Sequence, residues 1–198
     1  MNVPLKPMTA DEFIAWAMTQ ERGRYELLDG MVVSDMNSER SIHAVVKLNA
    51  AFALRLALKA AALPGQAFGD GMAVRITSRI VHEPDAILRL GSPLPDEQVY
   101  VSDPVIVVDV LSPGSGPVDT GAKLLNYFTL PSLMHCLVID PGKRTVLHYR
   151  RGTDGQPALT VRDEGVLALH PPGLAIMVAD LFQSSWSAVK LVKSRDLN

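Results

Sequence analysis

A single cysteine, Cys136, in 198 residues excludes an internal disulfide framework and a cysteine-rich zinc site, and it suits a reducing compartment. Aromatic residues are few, 6% of the chain, and neither sign of charge dominates: 19 Lys and Arg against 21 Asp and Glu leave a net charge of −2. A polyanion would therefore have to be gripped by a local basic patch, not by the field of the whole chain. Residues 1–9 lack a basic stretch followed by an apolar run, so no signal peptide is expected. The most apolar segment, residues 50–63, is interrupted by Arg55 and Lys59 and is too short to span a bilayer. These absences lead us to expect a cytoplasmic protein with no membrane partner. Repeats, linkers and low-complexity blocks are missing too.

What is present reads as one α/β domain over 1–198, with 47% hydrophobic residues and enough length for a sizeable core. Thr9-Ala10-Asp11-Glu12 is a capping box that opens a short helix. Asp29-Gly30 lies between two apolar runs and predicts a hairpin pairing 25–28 with 31–35. The spacing predicts a long helix over 38–62, with Ile42, Val45, Val46, Asn49, Phe52, Ala53 and Leu56 on one side, ended by Pro64-Gly65. Strands follow over 72–76 and 84–90. Residues 105–111 form a nearly continuous β-branched run, the mark of a central strand covered on both faces. After a loop at 112–117, Asp119 is expected to cap a helix running to Phe128. Pro141-Gly142-Lys143 joins strands 133–140 and 145–151, short strands continue to 178, and a closing helix is expected over 179–191.

Asp109 interrupts that central apolar run. A carboxylate there is costly unless a cation, a metal or hydrogen-bond donors compensate it, although an acid at a strand end can simply reach solvent. Pro84-Asp85 opens the preceding strand and would lie beside Asp109; alone, Pro-Asp is an ordinary turn pair. Asp119, Lys123 and Tyr127 fall at four-residue spacing on one face of the next helix, which would also suit a plain ion pair on a wet surface. Together, two carboxylates and a lysine match one chemistry. Hard oxygens hold Mg²⁺, the metal activates a water, and the lysine neutralises charge developing at phosphorus.

Several segments in sequence carry a family resemblance across residues 8–182. They are Tyr25-Glu26-Leu27-Leu28-Asp29-Gly30, His43, Pro84-Asp85, the run from Pro104 through Asp109-Val110-Leu111-Ser112-Pro113, Asp119 with Lys123 and Tyr127, and Leu137-Val138-Ile139-Asp140-Pro141. In this order and spacing the chain resembles the Uma-two family, classed with the PD-(D/E)xK restriction endonucleases. The resemblance implies a restriction-endonuclease-like fold, a central mixed β-sheet flanked by helices. It implies a Mg²⁺-dependent endonuclease acting on DNA, with Mn²⁺ as a possible substitute. Asp85 and Asp109 match the two motif acids, Glu26 an upstream acid that joins the metal, and Val110 a backbone-carbonyl ligand. Leu111 stands where the superfamily's lysine usually lies, and Lys123 takes its place from the next helix. Asp109 departs from the family, in which glutamate is usual. His43, Asp119 and Tyr127 are accessory candidates.

Other residues carry less. A lone His43 on an apolar helix side is more often a core group than a catalyst, His82 reads as a strand-edge residue, and His148 and His170 show no partner. His135 and Cys136 are adjacent on a strand and face opposite ways, which argues against a thiol dyad. Gly114-Ser115-Gly116 lacks the nucleophile-elbow frame. Two rivals to the endonuclease stand: a nuclease-fold binding protein with little catalysis, and a metal-dependent hydrolase of small phosphate compounds. Cutting both strands of a duplex needs two sites, so a homodimer is expected. Clustered acids should also raise at least one pKa among Glu26, Asp85 and Asp109.

Overall fold

The computed structural model describes residues 3–21, 23–35, 40–112 and 117–184. The capping box forms: Thr9 Oγ1 accepts from the Glu12 amide, and Glu12 accepts from the Thr9 amide at 2.7 Å, opening α1 (Ala10–Ala17). The hairpin of β1 (Arg24–Leu28) and β2 (Met31–Asp35) has the expected register, Glu26 opposite Val33. Asp29 and Gly30 both take positive φ, 49° and 85°, as a two-residue hairpin turn requires. A Cβ at Gly30 would stand 2.9 Å from Arg79 Nη2 and 3.1 Å from the Met8 carbonyl oxygen. Gly30→Ala should therefore cost about 1–3 kcal/mol in a urea melt; an unchanged midpoint would contradict this reading of the turn.

Two sheets carry most of the chain. The larger has six strands in the order β11-β10-β9-β8-β6-β3, and the smaller has five in the order β2-β1-β5-β4-β7. Their ranges are β3 Gly65–Phe68, β4 Ala73–Arg75, β5 Val81–His82, β6 Ala86–Leu90, β7 Tyr100–Val101, β8 Ile106–Val110, β9 His135–Asp140, β10 Thr145–Arg151 and β11 Pro157–Arg162. The larger sheet is mixed, with β8 and β9 parallel and its other pairs antiparallel. Alternation gives it two buried faces. Leu88, Ile106, Val108, Leu137 and Ile139 pack beneath α2 (Ser41–Ala60) and the hairpin of β12 (Val166–Leu169) and β13 (Leu174–Met177). Ile87, Val107, Cys136 and Val138 pack against Tyr127 and Phe128 of α3 (Pro117–Phe128) and against Val74 and Val101 of the smaller sheet.

Several expectations are corrected. The strands β3, β5 and β7 were not foreseen; two of them are only two residues long, too short for a periodicity to show. On α2 the buried line is His43, Val46, Asn49, Ala50, Leu54, Ala57 and Leu58, whereas Ile42, Phe52 and Leu56 are exposed. That helix is apolar nearly all round, so spacing alone could not choose its face. By length and composition it could even cross a membrane, yet it packs on the sheet. The helix after β8 begins at Pro117, upstream of the expected cap Asp119, whose side chain lies outside the described residues, as does Gly114-Ser115-Gly116. The closing helix α4 begins at Val178 and ends at Leu181; residues 185–191 lie outside the described residues.

His148 does have a partner. His135 Nδ1 lies 2.8 Å from His148 Nε2, and His135 Nε2 lies 2.6 Å from the Pro171 carbonyl oxygen. A carbonyl only accepts, so His135 donates from Nε2 and its Nδ1 accepts from His148. Burial lowers both pKa values, that of His148 to about 4. The pair ties the loop before β13 to the sheet.

Candidate active site

The run Val81-His82-Glu83-Pro84-Asp85 leaves the smaller sheet as β5 and enters the larger one as β6, and the polar site gathers along it. Alternation on β1 puts Tyr25 and Leu27 into a small core with Phe13 and Val81, and sends Arg24 and Glu26 the other way. Alternation on β8 puts Val107 and Asp109 on the face that meets α3. The β6–β8 ladder ends with Ala86 opposite Val108; Asp85, one residue before β6, donates its amide to the Val108 carbonyl at 2.8 Å and so stands at the end of β8 that carries Asp109.

Asp85 is nearly closed to solvent, at 3% exposure. Its Oδ2 accepts the Val110 amide at 2.6 Å, and its Oδ1 meets Arg24 Nη1 at 2.8 Å and Lys47 Nζ at 3.0 Å. Glu26 Oε1 accepts from Lys123 Nζ at 2.9 Å and from the Glu83 amide at 3.0 Å. Glu26 Oε2 lies 3.4 Å from His82 Nδ1. Burial alone would raise the Glu26 pKa, but His82, Lys123 and the Glu83 amide outweigh it and hold the carboxyl at about 2. Lys123 and the amide are the closer contacts, since His82 Nδ1 makes no hydrogen bond of full geometry.

Asp109 behaves in the opposite way. Its side chain keeps some solvent contact, yet protein surrounds it, and burial pushes its pKa up to about 7. Lys123 pulls it down, while the negative charges of Asp85 and Glu26 add to the rise. Tyr127 is fully buried and its hydroxyl has no hydrogen-bond partner among the described residues. Burial and the charges of Asp109 and Glu26 raise its pKa well above the ordinary phenol value. Its ring meets His82 edge-on at 5.3 Å, and His82 Nε2 lies 3.1 Å from Asn126 Nδ2.

The raised Asp109 pKa has a sign for stability. Folded Asp109 holds its proton up to about pH 7, whereas the unfolded carboxyl releases it near 3.8. The group's contribution is thus complete below pH 3.8 and is lost as pH rises towards 7. With chelator present, Asp109→Asn should gain stability relative to wild type between pH 5 and pH 8 in urea melts. An identical wild-type-to-variant difference at both pH values would remove the shifted carboxyl from the account.

Among the sequence candidates, the structure brings Glu26, Asp85, Asp109, Lys123 and Tyr127 into one electrostatic neighbourhood. His43 is buried on α2, one turn before Lys47. His82, read as a strand-edge residue, is instead buried at the site. Arg24, Lys47, Asp70 and Glu83 were missed. The Arg24–Glu26 spacing of two and the His43–Lys47 spacing of four were the available signals.

A hard divalent cation fits the donor chemistry of Asp85 and Asp109. The raised proton affinity of Asp109 reports an anion with too little compensation, whereas Asp85 Oδ1 is already paired with Arg24 and Lys47. Among the described residues no three His, Cys, Asp or Glu side chains are grouped so as to hold a metal ion. The fit therefore rests on the two aspartates, with Glu26 engaged by Lys123.

This architecture is the restriction-endonuclease-like fold. The chain superposes with a TM-score of 0.71 on the crystal structure of a putative nuclease belonging to DUF820 from Anabaena variabilis ATCC 29413. The two are 19% identical, and the match covers 89% of this chain and 98% of that one. The family model for Uma2, described as "Putative restriction endonuclease", matches residues 10–184, and the chain belongs to that family. No curated protein matches it.

Proposed function

We propose that the protein is a Mg²⁺-dependent endonuclease that hydrolyses DNA phosphodiester bonds, with Mn²⁺ able to substitute. One observation carries the reading: Asp85 bonds to the end of β8 that carries Asp109, its charge helps raise the proton affinity of Asp109 to about 7, and a lysine held by a buried glutamate acts on the same carboxyl. Asp85 and Asp109 would hold the metal, with the Val110 carbonyl and Glu26 as further oxygen donors. When bound, the cation supplies an activated water and neutralises phosphate oxygens. Lys123 orients the attacking water and offsets charge developing at phosphorus. Glu26 and the Glu83 amide fix the lysine's position. Tyr127 and His82 close the floor and keep bulk water out. The water oxygen bonds to phosphorus, the bond to one sugar oxygen breaks, and the water's proton passes to that leaving oxygen.

A second reading, a nuclease-fold protein that binds DNA without cutting, has one observation in its favour. Arg24, Lys47 and Lys123 already neutralise Asp85 and Glu26 with protein cations. Incubating duplex DNA, single-stranded DNA, RNA and a simple phosphate ester with Mg²⁺ or Mn²⁺ separates the readings. DNA cleavage abolished by chelator is the expected result. Metal and DNA binding without cleavage would favour the second reading, and turnover of the ester alone would point to a small-phosphate hydrolase. Two sites are needed for a double-strand cut, so we also propose a homodimer, which light scattering would detect.

A further inference from the structure

We infer that Arg24 and Lys47 form a receptor for a phosphate of the nucleic-acid backbone, whose seat is held by Asp70 when no nucleic acid is bound. The inference deepens the proposed function and rests on it. Asp70 follows β3 in the turn Gly69-Asp70-Gly71, and its side chain is 48% exposed. Its two carboxylate oxygens reach one cation each: Oδ1 lies 3.5 Å from Arg24 Nη1, and Oδ2 lies 3.4 Å from Lys47 Nζ. An exposed anion resting on two cations at such long distances is weakly held. The cations themselves are firmly placed. Both contact Asp85 Oδ1, Arg24 also donates to the Glu83 carbonyl, and its Nε lies 3.8 Å from Glu83 Oε1.

The chemistry of that seat matches a phosphodiester oxygen pair. One guanidinium nitrogen, Arg24 Nη1, and the Lys47 ammonium converge on one exposed anion, and these are the groups with which arginine and lysine receive phosphate oxygens. The seat also adjoins Asp85, so a phosphate there would lie next to the proposed metal pair. A chain of net charge −2 needs such a local patch to hold a polyanion. A purely bracing role would make Asp70 an asset, since it helps to hold Arg24 and Lys47 against Asp85. A phosphate receptor makes Asp70 a competitor. The two roles thus predict opposite signs for its loss.

The test is fluorescence anisotropy with a labelled DNA duplex in chelator, where no cleavage occurs. Asp70→Asn should tighten binding by roughly threefold to tenfold, because it removes a competing and repelling anion. Lys47→Gln and Arg24→Gln should each weaken binding and lower the slope of log affinity against log salt by about 0.9. Binding weakened or unchanged in Asp70→Asn, or an unchanged salt slope in Lys47→Gln, would overturn the inference. If Arg24→Gln does not fold, Asp70→Asn and Lys47→Gln decide the matter alone. A wild-type protein that binds no duplex would instead refute the endonuclease reading itself.

Discussion

Lys123→Ala should lower the rate of DNA cleavage by about two to four orders of magnitude, or roughly 3–5 kcal/mol of transition-state stabilisation. The ammonium bonds Glu26 at 2.9 Å, and its charge also acts on Asp109. It is not a metal ligand, so metal binding measured by calorimetry should persist. DNA affinity should fall far less than the rate, since one lysine is one phosphate contact among several. Removing the ammonium also takes away one of the influences that hold Glu26 at about 2, so its pKa should rise in an NMR titration. A cleavage rate unchanged with metal bound would mean that the activity belongs to another site.

Asp85→Ala should abolish both cleavage and metal binding and should destabilise the fold. Removing this carboxylate leaves the Val110 amide without its acceptor and Arg24 and Lys47 without their shared anion. Arg24 and Lys47 keep partial access to water, which softens the loss, so we expect about 2–4 kcal/mol in a urea melt. Asp85→Asn separates the two effects. Its amide oxygen can still accept from Val110, so more stability should remain, while the missing charge should still abolish metal binding. An Asp85→Asn variant that binds metal and cleaves as wild type does would show that this carboxylate is not the metal's anchor.

Much of this site is legible in the sequence because it lies on elements whose pattern is unambiguous. The run around Asp109 can only be a buried strand, and the four-residue step from Lys123 to Tyr127 fixes a helix face. The strand after Pro84 then brings Asp85 beside Asp109. The Asp29-Gly30 turn fixes β1 and β2, and with them which face Glu26 occupies. Arg24, Lys47 and Asp70 were hidden for a different reason: each is an ordinary surface-type residue until tertiary packing brings three distant segments together. On α2 the apolar residues run nearly all round the helix, so its buried line, and with it the direction of Lys47, was not readable. The two-residue strands β5 and β7 owe their existence to pairing partners far along the chain, which local pattern does not encode. His82 shows the same limit, since its burial comes from α3 and β1 closing over it.

Metal-dependent cleavage at Asp85 and Asp109 can be measured as nicking of supercoiled plasmid. Wild type and Asp85→Ala, purified side by side, are incubated with plasmid and Mg²⁺ or Mn²⁺, with a chelator control. Wild type should convert supercoiled plasmid to the nicked or linear form only when metal is present, and Asp85→Ala should leave it supercoiled. Equal nicking by the two proteins, or nicking by wild type that survives the chelator, would contradict that expectation.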